Sequence, residues 1–276
     1  MLAGNVPVQC PRQHPSAMHE HFMTPPPLSV TGKPAIRIGC AGWGIPPQHA
    51  ALFPPGGGHL ERYARLFDTV EIDSSFYRPH QHKTYVRWAD TVPDSFRFWV
   101  KTPREITHQR RLLECEDSLL RFLEEISGLG YKLGGILVQL PPSLALDVPS
   151  AQAFFTLLRQ HYAGVAACEP RHASWFSMQG EKLLQDFRLA RVAADPAKFP
   201  TAGTPGGDTG FSYYRLHGAP EIYYSSYPEA YLRQLAHTLQ ASIGPAWCIF
   251  DNTARGGATA NAWDIMRLLD KTMHQD

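Results

Sequence analysis

Apolar and polar positions follow two alternating rhythms along this chain. From Ala35 onward, short apolar, β-branched or aromatic runs give way to a polar or Gly/Pro corner, then to a stretch whose apolar residues recur with helical spacing. The strand-like runs are Ile36–Gly42, Thr69–Asp73, Phe96–Thr102, Gly135–Leu140, Gly164–Glu169, Leu189–Asp195, Phe211–His217 and Ala246–Asn252. They recur about every 30 residues, the length of one βα unit. Helical patterning fills His59–Phe67, Thr84–Ala89, Glu116–Ile126, Ala151–Gln160, Gly180–Phe187, Pro228–Leu239 and Ala258–Leu269. Strands alternating with helices predict a parallel sheet, and eight such units predict its closure into a single (β/α)8 TIM barrel. A doubly wound open sheet is the alternative; its dinucleotide-binding version lacks the GxGxxG turn after the first strand. The stretch Pro196–Gly210 is rich in Pro and Gly where the sixth helix belongs, which predicts a loop or a vestigial helix there.

Charged residues on the strands share a face. Glu71 and Asp73 stand two apart on the second run, Glu169 and Arg171 at the end of the fifth, Arg215 and His217 on the seventh, so each pair projects to one side. Val70, Ile72, Cys168 and Leu216 supply the apolar opposite face that packs on helices. Lys101, Gln139 and Asp195 end their own strands and are expected to join the set. Asp251 and Asn252 are adjacent and cannot both point inward; Asn252 is the one expected to face the mouth. Ligand sites of a barrel lie at the carboxyl ends of its strands, so these residues surround the expected site. An internal ion-pair network is the competing explanation, favoured for Glu71 as the deepest on its strand, because buried charges must be paired.

Composition narrows the class. A chain of 276 residues with 43% hydrophobic and 18% charged residues suits one globular domain, here residues 34–276. Residues 1–33 carry Pro7, Pro11, Pro15, Pro25, Pro26 and Pro27 with His14, His19 and His21 and few apolar positions, the pattern of a disordered tail. A formal net charge of +1 provides no global field toward nucleic acid or an anionic membrane, so nucleic-acid binding would need a local patch. No apolar run approaches the ~18 residues of a membrane span, and no hydrophobic leader is evident, which makes the cytoplasm the expected location. Five cysteines without a CxxC pair fit reduced thiols in a reducing compartment.

The residues singled out fall in phrases. "IGCAGW", "TVEIDSSFYRP", "FRFWVKTPREITH", "ILVQLPPS", "CEPRHASWF", "YYRLHG" and "FDNTARGGATANA" stand in an order that resembles the YecE-like family, also called domain of unknown function 72. The resemblance covers about Ile36 to Leu269 and implies a TIM barrel; the family has no established biochemical role. It marks Gly42, Trp43, Glu71, Ser75, Phe76, Tyr77, Lys101, Thr107, His108, Gln139, Glu169 and Arg171. It also marks His172, Ser174, Trp175, Asp195, Arg215, His217, Gly218 and Asn252. The family pattern has Asn at the positions of Asp73 and Asp251 and an aromatic at Pro170. Neutral Asn at two of these places argues against obligatory metal ligation there.

Three groups of side chains carry candidate chemistry. Lys101, Arg171 and Arg215, with His108 and the neighbouring Arg104, Arg110 and Arg111, suggest an anionic ligand held by guanidinium forks. Glu169 and Asp195 are candidate general acid and base, assisted by His172 or His217, since two carboxyls in different environments separate in pKa. A divalent metal on these carboxylates and imidazoles is a weaker alternative, because no HExxH-like ligand spacing occurs. Trp43, Phe76, Tyr77, Trp175, Tyr223, Tyr224 and Tyr227 suggest ring-stacking walls, with Ser75, Asp73, Gln139 and Asn252 as polar ligand contacts. Cys40 beside glycines is read as packing. The expected function is an enzyme acting on a phosphorylated or nucleotide-like ligand, resembling a phosphodiester hydrolase. A metal-dependent sugar isomerase or epimerase, and a non-catalytic module binding nucleic acid or a metabolite, are the alternatives.

Overall fold

The computed structural model describes residues 35–273, with side chains as far as 270. The stretch 1–33 expected to be a tail lies outside the described residues. All eight predicted runs form strands: β1 (Ile36–Cys40), β2 (Thr69–Ile72), β3 (Arg97–Lys101), β4 (Leu133–Gln139), β5 (Ala166–Glu169), a sixth run split into β6 (Leu189–Arg191) and β7 (Ala193–Asp195), β9 (Ser212–Leu216) and β10 (Ala246–Phe250). One further strand, β8 (Gly206–Gly207), comes from the Pro/Gly-rich stretch, beside a 3-10 turn over Pro200–Gly203. The helices are α1 (His59–Ala64), α2 (Ser74–Tyr77), α3 (His82–Thr91), α4 (Glu116–Ser127), α5 (Val148–His161), α6 (Met178–Asp186), α7 (Glu229–Gln240) and α8 (Gly257–Met273).

The expected TIM barrel is corrected by the strand pairing. Hydrogen-bonded ladders divide into two sheets, one of order β1-β10-β9-β7 and one of order β2-β3-β4-β5-β6-β8, rather than closing as one all-parallel eight-stranded sheet. The physical reason lies in the sixth unit. Without a crossover helix, the chain doubles back, and β8 pairs antiparallel with β6 through Ala190–Gly207 and Arg191–Gly206, occupying that strand's free edge. The chain breaks register at Val192, so that the three residues of β7 pair with β9 instead. At the other seam, β1 meets β2 only through a bridge between Ala41 and Glu71 and a bond from Gly42 N to Glu71 O of 2.8 Å. Backbones approach closely there: a Cβ on Gly39 would lie 2.2 Å from the Thr69 carbonyl oxygen, so only glycine fits.

Alternation along the strands sorts two cores. Ile38, Cys40, Val70, Ile72, Val100, Val138, Cys168, Leu216, Cys248 and Phe250 pack with apolar faces of the helices in the larger one. Alternate positions of both sheets, Trp99, Leu137, Ala167, Ala190, Tyr213, Trp247 and Ile249, meet in the smaller. Cys40, Cys115, Cys168 and Cys248 are buried free thiols. Above the small core, toward the carboxyl ends of the parallel strands, the same face turns polar.

Candidate functional site

Arg215 occupies the centre of that polar face and is fully buried. It lies in register with Ile249 of the small core, so the strand pleat itself aims the guanidinium between the two sheets. Nε and one Nη hold both Glu71 oxygens at 3.1 and 2.6 Å; that Nη also reaches Asp251 at 3.1 Å, and the other donates to Glu169 at 2.6 Å. The Tyr213 hydroxyl donates to Glu71 at 2.8 Å, joining the cluster to the apolar layer beneath. His217 is bracketed by Asp251 at 2.9 Å on Nδ1 and Glu169 at 3.0 Å on Nε2. Arg171 gives Nε and an Nη to one oxygen of Glu169, at 3.1 and 2.9 Å. Lys101 pairs with Asp73 at 2.7 Å and sits 4.3 Å above the Phe76 ring. The cluster therefore ties the sheets together: Glu71, Asp73, Lys101, Glu169 and Arg171 come from one, Arg215, His217 and Asp251 from the other.

The charges set one another's ionisation. Burial opposes charge on Glu169, but Arg215, Arg171 and His217 together hold its carboxyl well below the usual range. Asp251 is depressed, burial being outweighed by Arg215 and His217. His217 is raised despite burial, because Glu169 and Asp251 favour the imidazolium. Burial, with the nearby Asp73 and Asp251 carboxylates, pushes Glu71 up against the pull of Arg215. With His217 protonated, Glu71, Asp73, Glu169 and Asp251 balance Lys101, Arg171, Arg215 and His217, so the cluster is neutral.

This pairing corrects the expected cradle of cations. Lys101, Arg171 and Arg215 are each engaged by carboxylates, which leaves Arg171, 23% exposed at its side chain, as the cation with an outer edge at the opening. The acid–base pair is also corrected. Asp195 is in register with Leu216, whose side chain packs in the helix-facing core, and Asp195 turns the same way. Burial first, and then its carboxylate, raise the pKa of the Tyr227 and Tyr231 hydroxyls there. Asn252, expected at the mouth, points its amide away to Ser225 O and Asn261, both at 2.9 Å, while its neighbour Asp251 enters the cluster.

Other expected residues divide between the cluster and its supports. Gln139 is buried beside Glu169 by strand register. His108 meets the Phe76 ring edge at 4.9 Å, and burial with the charges of Lys101, Arg171 and Arg104 lowers its pKa. Ser75 donates to the Ile72 and Lys101 carbonyls, fixing α2 on β3. His172 takes the Ser174 amide on Nδ1 and caps the turn Ala173–Phe176. Trp175 is buried with Nε1 on Leu144 O at 3.0 Å, and Trp43 packs edge-on against Trp88. Tyr227 bonds Gly218 N and Asp195 O. These last four residues each hold a loop in place. Tyr77, Tyr223 and Tyr224 remain exposed by 68%, 39% and 43%. Burial pushes Cys40 up to about 12, which leaves it a thiol. Among the described residues no group of three His, Cys, Asp or Glu side chains is arranged to hold a metal ion.

The bracketed histidine makes a pH prediction. The raised His217 contributes stability that is full below its ordinary value of 6.5 and is lost as pH climbs through the raised one. Glu169 and Asp251 contribute stability present above their ordinary 4.5 and 3.8, lost as pH falls through the depressed values. Glu71, raised, adds to the alkaline loss, its contribution being full below its ordinary 4.5, so melting temperature should be highest in the lower part of the window between about 4.5 and 6.5 and decline on both sides. His217→Asn should flatten the alkaline decline; an unchanged alkaline limb would exclude His217 as its source.

Fold and site define a two-sheet α/β protein with a mixed-charge cluster at the carboxyl ends of its parallel strands. Residues 37–276 match the model for "Protein of unknown function DUF72", and the chain belongs to that family. It is 32% identical over 149 residues to UPF0759 protein YecE of Escherichia coli, covering 53% of this chain and 52% of that protein. To UPF0759 protein YunF of Bacillus subtilis it is 31% identical over 153 residues, covering 51% and 52%. The matches thus span about half the length of these relatives. A DUF72 family protein from Enterococcus faecalis superposes with a TM-score of 0.72 at 21% identity, covering 85% of this chain and 95% of that one. One from Thermotoga maritima gives 0.71 at 23%, covering 86% and 99%. These two likenesses concern the fold.

Proposed function

We propose that the polar cluster is the active site of an enzyme acting on a nucleotide-like phosphoester. The observation that carries this is Arg171: a partly exposed guanidinium, holding a single Glu169 oxygen, beside His217 and the exposed ring of Tyr223. A base or sugar ring would stack on the exposed tyrosines, and the ester would meet the outer edge of Arg171. Hydrolysis adds water across the P–O ester bond. His217, held as the donor by Glu169 and Asp251, would protonate the leaving oxygen. Asp73, the most exposed carboxylate of the cluster at 24%, would take the proton of the attacking water. A panel of nucleotides and activated phosphodiesters, assayed for product and for binding, tests this. Turnover that Arg171→Ala lowers by about a hundredfold would support it, the scale of losing one transition-state contact. Absence of both turnover and saturable binding would overturn it.

A non-catalytic binding module is favoured by a different fact: both nitrogens of His217 are engaged and every cluster charge is paired. Saturable binding without product under any added metal would select it. The metal-dependent isomerase has no donor set among the described residues to rest on. No helix among those residues is long and apolar enough to cross a membrane.

A further inference from the structure

Beside the polar cluster lies a separate cavity of about 610 Å³. The loop after β1 forms one wall, through Gly42, Ile45, Pro46 and Gln48, and the loop into α8 with that helix's first turn forms the other, through Thr253, Ala254, Arg255, Gly256, Ala258 and Thr259. It adjoins the cluster, since Ala41 pairs with Glu71 and Thr253 lies two residues beyond Asp251. The walls are held in place. Gln48 Nε2 donates to the Arg255 carbonyl at 2.8 Å, and Gly256 has φ +75° with Gln48 and Pro46 so close that a Cβ would meet them at 2.6 and 2.8 Å.

Its chemistry is unlike that of the cluster. Arg255 is the one charged side chain in the lining, and among the described residues no carboxylate pairs with it; its guanidinium lies 5.1 Å from the ring centroid of Tyr224. Thr259 lines the cavity, is only 3% exposed, and its hydroxyl makes no hydrogen bond to any described residue. A hydroxyl on a cavity wall with no protein partner keeps its hydrogen-bonding capacity for what enters the cavity. The first turn of α8, a 17-residue helix, contributes Ala258 and Thr259 to the same wall; first-turn amides lack intrahelical acceptors, and of these Ala258 N is taken by Asn252 O.

We propose that this cavity is a phosphate-recognition site, seating the phosphate group of a small organic ligand against Arg255, the Thr259 hydroxyl and the first-turn amides of α8. An unpaired guanidinium supplies charge and a fork, the threonine supplies a hydroxyl donor, and the helix start supplies oriented N–H groups. The rest of the lining, largely glycine, proline, alanine and isoleucine, carries no carboxylate to repel an anion. The site stands whether or not the polar cluster is catalytic.

Titration of isotopically labelled full-length chain with inorganic phosphate, and separately with acetate, tests the assignment through the amide resonances of Gly256–Ala260. Phosphate should move them saturably and acetate should not. Arg255→Ala, on an exposed loop, should weaken phosphate binding about tenfold or more, the scale of one charge-assisted bond. Thr259→Val should weaken it by a smaller factor, and Arg171→Ala should leave it unchanged. Equal response to acetate would overturn the choice of phosphate. The site itself would be overturned by resonances moving around Arg171 and Lys101 instead, by unaltered binding in Arg255→Ala, or by no saturation with phosphate.

Discussion

Replacing Arg215 with methionine should destabilise the protein by about 3–5 kcal/mol, the range for removing one partner of a buried ionic network. The guanidinium touches three carboxylates from a position with no exposed surface, and a methionine of similar length fills its space without its charge. Glu71, Glu169 and Asp251 would then face one another, Glu71 with only Tyr213 to bond it. Chemical denaturation of the variant measures the loss. Adding Glu71→Gln should recover part of it, because one of the stranded charges is removed. A loss below about 1 kcal/mol would mean that solvent reaches these groups and screens them as it does a surface pair.

Glu169→Gln is the second large effect expected. The carboxylate is shared by Arg215, Arg171 and His217, and an amide of the same shape leaves all three cations without their common counter-charge. Stability should fall by about 2–3 kcal/mol, as for a lost charge-assisted bond. His217 should move down toward its ordinary pKa, which its imidazole resonances would follow through a pH titration. If the proposed phosphoester chemistry is right, turnover should vanish while ligand binding survives, since Arg171 and the tyrosines stay in place. Retained turnover would remove Glu169 and its hold on His217 from the reaction.

Much of the fold could be read in advance, because strands and helices leave local periodicities. Every predicted strand run contains a strand, and the helical stretches recur within a few residues. How the strands share neighbours leaves no such mark. The break at Val192 sits in the run LARVAAD, whose apolar residues do not alternate with polar ones, and a two-residue strand at Gly206–Gly207 has no pattern of its own. Hence the eight strands were foreseeable and their division into two sheets was not. Spacing placed Glu71, Glu169, Arg171, Arg215 and His217 together correctly, since each pair lies two apart on a strand. It failed for Asp195, where the run changes register, and for the choice between Asp251 and Asn252. There β10 is apolar on both faces, and neither parity is privileged. Tyr213, whose hydroxyl completes Glu71, stands two before Arg215 and could have been found by the same parity.

The two seams bear on how the molecule loosens. A ladder strand is protected from exchange with solvent by its neighbours, and each sheet opens as its own cooperative unit unless something couples them. Here backbone pairing across the seams is slight, so the coupling falls to side chains: Arg215 with Glu71 and Glu169, and His217 with Glu169. The charged cluster is thus a latch as well as a mouth. A molecule that settles there and borrows one of its partners would alter how firmly the two halves are fastened, and slow amide exchange along β7 and β9 would register its arrival.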